Sequence, residues 1–289
     1  GIDLINEHSI DEDGSKLKYR GMKSGYANYY KKISGQINGA ENFKLLESEK
    51  ENWDNFLEFV NKEASAEDKQ YLDELLKLIG EEQLENRARA YYGNSSLIAI
   101  VKRIYRNAIE AEKVDAERKP GYQERDQENL VNRIKSLDYS FDARVDKEIF
   151  LDRLKNYANI DNSYRRPIYS ELLGLDGDFA ETKNTVEEIY STEFNNSETL
   201  LQLMDLNLEE LNRSLDPLVI FAKKTYQESL DYEKKYEARS ARRQLLKSKF
   251  IGVLKKYYET SNKQLYSDAN GTLRVTYGNV AGVSLKDGI

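Results

Sequence analysis

The stretch Gly25-Tyr26-Ala27-Asn28-Tyr29-Tyr30-Lys31-Lys32-Ile33-Ser34-Gly35 gathers the side chains best suited to hold a polar ligand. A tyrosine joins an apolar ring to a polar tip, and the Asn28 amide offers both a donor and an acceptor. Together they could line a pocket and orient a polar group. The same residues also read as a short helix whose tyrosines pack on a neighbour while Lys31 and Lys32 stay in solvent.

Nothing else in the chain assembles a catalytic set. A serine, histidine and aspartate relay needs its base beside the nucleophile, and the one histidine, His8, stands in a short connecting segment with no evident partner. A di-iron bundle needs two Glu-x-x-His motifs, which one histidine cannot supply. The chain has no cysteine, which removes disulfides, thiolate metal sites and cysteine nucleophiles together. Gly93-Asn94-Ser95-Ser96 lacks the glycine-flanked turn of a serine nucleophile and precedes an apolar run, so it reads as a helix cap. Glu81-Glu82 and Glu187-Glu188 sit on helical patterns where adjacent residues face apart, and read as solvated faces. No phosphate-cradling glycine loop occurs. The sequence therefore assigns no catalytic residue, cofactor or metal ligand, and Asn28 is the single candidate for substrate binding.

The elements that would position these residues are helical. Apolar residues make up 39% of the 289 positions and charged residues 33%, with 3 prolines and 16 glycines, a balance typical of charge-laced helices. The formal charge of -7 argues against a nucleic-acid partner, which requires a concentrated basic face. Arg239, Arg242, Arg243, Lys247 and Lys249 are interleaved with Leu245, Leu246 and Phe250, and read as an exposed face beside a core stripe. The longest apolar run, Leu97 to Val101, falls far short of the roughly 20 residues of a membrane span. Gly1 replaces an initiator methionine and no charged-then-apolar leader follows, which points to a processed product or a piece of a longer chain.

In chain order, Ile2, Leu4 and Ile5 open an incoming connection that ends near His8. Phe43, Leu46, Trp53, Phe56, Leu57 and Val60 recur at three- and four-residue steps and predict a helix from about Ala40 to Ala64. Ser65 reads as the cap of a second helix carrying Leu72, Leu75, Leu76 and Ile79 and stopping at Gly80. Ile98, Val101, Ile104, Tyr105 and Ile109 mark the next buried face, and Pro120-Gly121 ends it. Leu130, Ile134, Leu137, Val145, Ile149, Phe150 and Leu154 mark two further amphipathic pieces. Shorter elements fill Ile168 to Arg213. Asp216 and Pro217 then open a helix that runs to about Leu265, as one strut or as a tight hairpin. At Asp268 the texture changes. Leu273 to Val280 reads as a β-strand, with Leu273, Val275 and Tyr277 on one side, and it needs a sheet from outside this sequence.

Three stretches resemble one family: Tyr26-Ala27-Asn28 with Lys31-Lys32, Glu117-Arg118 with Gly121 to Arg125, and Asp268-Ala269-Asn270-Gly271-Thr272-Leu273-Arg274-Val275-Thr276-Tyr277-Gly278. They are similar to the bacterial serine dipeptidyl-peptidases of the dipeptidyl-peptidase 7 and dipeptidyl-peptidase 11 type, which remove dipeptides from free N-termini. The resemblance implies a mainly α fold in which residues 1–266 form a multi-helix cap inserted into a chymotrypsin-like double β-barrel, and residues 267–289 begin the second barrel half. It places the catalytic His and Asp upstream and the Ser downstream, so the segment should be inactive alone. Asn28 matches the cap asparagine that helps hold the substrate's amino terminus. Gly271 departs from the usual serine of Asn-Ser-Thr, and Val283 stands where an aromatic often follows Val-x-Gly. The implied partners are peptide substrates and the rest of the peptidase chain, a homodimeric parent stays open, and the implied location is the periplasm or surface of a Gram-negative bacterium. The rival reading is a non-enzymatic helical scaffold or protein-interaction module.

Overall fold

Local signals in the sequence set most of the helix starts. The computed structural model describes residues 2–9, 14–92, 95–262 and 278, and every regular element among them is helical. Two short helices, α1 (Ile2–His8) and α2 (Ser15–Lys18), lead into α3 (Arg20–Asn42). Lys44, in the left-handed region at φ 50°, turns the chain into α4 (Leu45–Glu63). Ser65 Oγ accepts the Asp68 amide at 3.1 Å at the start of α5 (Ala66–Tyr92), and Ser95 Oγ accepts the Ile98 amide at 3.0 Å at the start of α6 (Ser96–Ala111). Both serines satisfy amides that a first helical turn leaves open.

Pro120 and Gly121, the latter at φ 92°, interrupt the chain before α7 (Gln127–Lys135) and the single turn α8 (Leu137–Ser140). Next come α9 (Ala143–Ala158), α10 (Pro167–Leu172), α11 (Phe179–Tyr190), α12 (Ser197–Met204) and α13 (Leu208–Arg213). Asp142, Asp178, Asn196 and Asn207 cap four of these through their side chains. Asp216 accepts the amides of Leu218 and Val219 at 2.9 and 3.1 Å and opens α14 (Pro217–Lys224), with Pro217 in the first turn as predicted.

The expected strut or hairpin is neither. The helix breaks after two turns at Thr225, whose buried hydroxyl donates to the Phe221 carbonyl at 2.8 Å, a local bond that competes with the helical ladder. From there α15 (Tyr226–Thr260) runs for 35 residues, roughly 50 Å at the usual helical rise.

The main core forms around α6. Leu97, Val101 and Ile104 pack in one cluster with Leu130, Ile134, Phe150, Leu154, Leu200, Leu203 and Leu218. A second core joins α4, α5 and α15 through Phe56, Val60, Leu72, Val253 and Tyr257, with the Phe56 and Tyr257 rings edge to face at 5.5 Å. A third ties the start of α3 to α1 and α9 through Ile5, Tyr19, Val145 and Ile149, with Tyr26 packed against it.

Several predicted boundaries need correction. The helix expected from Ala40 is split at Phe43 and Lys44, and Phe43 and Leu46 are exposed rather than buried, because α4 joins the core with α15 only from Trp53 onward. Gly80 does not end α5; it lies inside it, and Leu76 and Ile79 are 42% and 37% exposed rather than buried. Glu82 is not solvated. It is buried against α15, where Arg243 Nη1 donates to its Oε2 at 2.7 Å. The basic run is likewise no free face: Arg239 pairs with Glu85, Arg242 with Glu74 and Arg243 with Glu82, which makes a seam of ion pairs between α15 and α5. The predicted strand at Leu273 to Val280, apart from Gly278, and the segment 267–289 to which it was assigned lie outside the described residues.

Candidate functional site

The stretch from Gly25 to Gly35 is neither a loop nor a short helix bracketed by glycines. It is the middle of α3, which spans 23 residues, none of them buried. Tyr26 is the one tyrosine of the three that packs on the body, and Arg153 Nη2 donates to its hydroxyl at 3.4 Å. Tyr29 and Tyr30 are 66% and 73% exposed, so they do not form the packed stripe of the structural reading.

Helical spacing sorts α3 into two faces. Met22, Tyr26, Tyr29, Ile33 and Ile37 follow one another at three- and four-residue steps and form an apolar stripe, anchored at Tyr26 to α1 and α9. On the adjoining face Gly21, Gly25, Asn28, Lys32, Gly35 and Gly39 recur at alternating steps of four and three, which aligns them along a single face. A Cβ added at any of these four glycines would meet nothing within 4 Å. No neighbour within the described residues therefore requires them to be glycine.

Gly25 and Gly35, in the interior of the helix, each carry a cost of about 0.5–1 kcal/mol relative to alanine. Along this face they leave the α3 backbone bare, with the Asn28 amide and the Lys32 ammonium as its polar side chains. Both residues are exposed, and neither has a hydrogen-bond or ion-pair partner among the described residues. Such a face lets another chain approach to backbone distance. The Asn28 carbonyl oxygen can accept from an ammonium or amide, and its NH2 can donate to a carbonyl. It offers no nucleophile and no base, so its chemistry is binding.

His8, at the last turn of α1, is half-buried and has no hydrogen-bond partner among the described residues. Among those residues no group of three or more His, Asp or Glu is arranged to hold a metal ion, and no helix is long and apolar enough to cross a membrane. The glycine face itself was readable from spacing. Taking Gly25 and Gly35 as the ends of a segment, rather than as two steps of a longer register, concealed it.

A family model described as Peptidase S46 matches residues 1–289. Across its whole length the chain is 29% identical to a protein from Shewanella putrefaciens named Asp/Glu-specific dipeptidyl-peptidase, and it covers 40% of that protein. A protein of the same name from Capnocytophaga gingivalis is 25% identical over 96% of the chain, which covers 39% of it. The chain thus spans about two fifths of the length of the curated relatives it matches.

Proposed function

Because this chain belongs to the peptidase S46 family, we propose that it is the helical cap of a serine-type dipeptidyl-peptidase that releases dipeptides from the free N-termini of peptides. The observation that carries the proposal is the α3 face on which four glycines with open space at Cβ flank Asn28. The two of them in the helix interior, Gly25 and Gly35, destabilise it by about 1–2 kcal/mol in sum. That cost is understandable if the face borders a cleft through which a peptide backbone must pass.

In this reading Asn28 accepts one N–H of the substrate's ammonium, while residues of the rest of the chain take the others. A hydrogen bond to a charged group contributes about 1.5–3 kcal/mol. Anchoring the amino terminus on a rigid helix at a fixed distance from the scissile bond admits two residues and no more, which yields dipeptides. The nucleophile and its base belong to the part of the peptidase outside this sequence. The same proposal places the enzyme in the periplasm or at the cell surface of a Gram-negative bacterium, with peptides and the barrel of its own chain as partners.

The test is hydrolysis by the full chain of fluorogenic dipeptidyl substrates, including ones with Asp or Glu next to the scissile bond. Release of intact dipeptides only from substrates with a free amino terminus supports the proposal. Equal cleavage of N-acetylated substrates counts against it.

A further inference from the structure

A pocket of about 280 Å³ opens where α5 and α15 meet the segment that leads into α10. Its walls include Arg89, Tyr92, Arg166, Ser229, Tyr232 and Tyr236. Arg166 is 8% exposed, and its guanidinium is held between two tyrosine faces, 4.1 Å from the ring centre of Tyr92 and 4.3 Å from that of Tyr232. Its Nη1 donates to Ser229 Oγ at a long 3.4 Å, its Nε is buried without a partner, and no carboxylate pairs with it among the described residues. Arg89, exposed at the rim, stacks over the Tyr236 ring at 5.6 Å and also has no carboxylate partner among those residues.

The acids of the same pocket are already engaged. Glu85 takes Lys235 at 2.9 Å and Arg239 at 2.7 Å, and Glu233 takes Arg106 at 2.6 Å and Lys119 at 3.6 Å. The buried carboxylate of Glu228 accepts the amides of Ile168 and Tyr169, at 2.9 and 3.2 Å. Lys102 of α6 feels the same charges: burial, and then Arg166, push its ammonium down to about 8. Among the residues that line the pocket, Arg89, Arg166 and Lys235 outnumber Glu85 and Glu233, so the pocket keeps an excess of positive charge.

Buried cations are ordinarily paired, and a guanidinium is a planar fork matched to two carboxylate oxygens. We propose that this pocket binds a carboxylate, seated on Arg166 and Arg89 with its carbon skeleton against the tyrosine rings. The volume suits a short diacid or one acidic side chain, and no larger element. The carboxylate could be that of a free small diacid or of an acidic peptide, and the two sources are separable by experiment.

The test is calorimetric titration of the full chain with disodium succinate and, separately, with an N-acetylated acidic dipeptide, in wild type, Arg89→Gln and Arg166→Lys. Arg89→Gln removes an exposed side chain, and circular dichroism checks the fold of both variants. The proposal expects saturable binding of one probe or both, weakened about 10-fold or more in Arg89→Gln, as loss of a charge-assisted hydrogen bond requires. Succinate binding alone identifies a free diacid, and dipeptide binding alone identifies a peptide side chain. Absence of saturable binding for both probes, or binding of equal strength in wild type and Arg89→Gln, overturns it.

Discussion

The Asp146 carboxylate on α9 accepts the Ser96 amide at 2.9 Å and thereby caps α6 from across the main core. The same carboxylate also accepts the Ser95 hydroxyl at 2.9 Å, the Leu97 amide at 3.3 Å and the Tyr190 hydroxyl at 2.7 Å. Burial and the adjacent Asp146 charge push the Tyr190 phenol well above its ordinary value. A fully satisfied buried network of this kind is costly to break, because each abandoned donor loses its partner at once. Asp146→Ala is expected to destabilise the domain by about 3 kcal/mol, seen as a lower urea midpoint with an unchanged slope. A loss below about 1 kcal/mol would show that the network is dispensable.

The seam between α5 and α15 should be sensitive to acid. Arg239 holds the Glu85 carboxyl below the ordinary 4.5, and its Nη2 donates to Oε1 at 2.7 Å. A carboxyl depressed in the folded state adds stability above its unfolded pKa, and that stability is lost as the pH falls through the folded value. Stability is therefore expected to decline as the pH drops below about 4.5, and Glu85→Gln should flatten that decline. An identical acid slope in wild type and Glu85→Gln would remove Glu85 from the account.

Lys102 gives a dependence of the same sign at the alkaline end of the scale, from a group whose burial costs stability rather than adding it. Burial lowers its folded value to about 8 from 10.5, so between those values the unfolded chain binds more protons and stability rises with pH. Lys102→Met should abolish this rise and stabilise the protein at neutral pH by about 2 kcal/mol. A pH profile unchanged from wild type between 8 and 10.5 would contradict it.

Much of the fold was legible because its signals are local. Ser65, Ser95 and Asp216 each act as the predicted cap, and the periodic residues of α6 and α9 are buried as their spacing requires, except Ile109, which is half-buried. What escaped depends on partners distant in sequence. Glu82 looked solvated because Arg243, its partner, lies on another helix. Arg166, which stands beside Pro167 in no periodic pattern, becomes a stacked buried cation once α5 brings Tyr92 and α15 brings Tyr232 to its two faces. Gly80 misled for a different reason: a lone glycine weakens a helix without ending it, and packing of α5 on α15 carries the helix through.

The glycine face of α3 separates stability from function. Gly25 and Gly35 have helical backbones with open space at Cβ, so Gly25→Ala and Gly35→Ala should each raise stability by about 0.5–1 kcal/mol. If the face borders the substrate cleft, the same variants lower kcat/KM in the full chain. Stabilisation together with unchanged hydrolysis would show that the face is not used by substrate.

The claim that most needs testing is that Asn28 holds the substrate's amino terminus. The full chain should be assayed on one dipeptidyl substrate, free and N-acetylated, as wild type and as Asn28→Ala. The account predicts a rise in KM for the free substrate of about 10-fold, matching a lost hydrogen bond to an ammonium, and a collapse of the preference for free over acetylated substrate. Unchanged KM and unchanged preference in Asn28→Ala would contradict it.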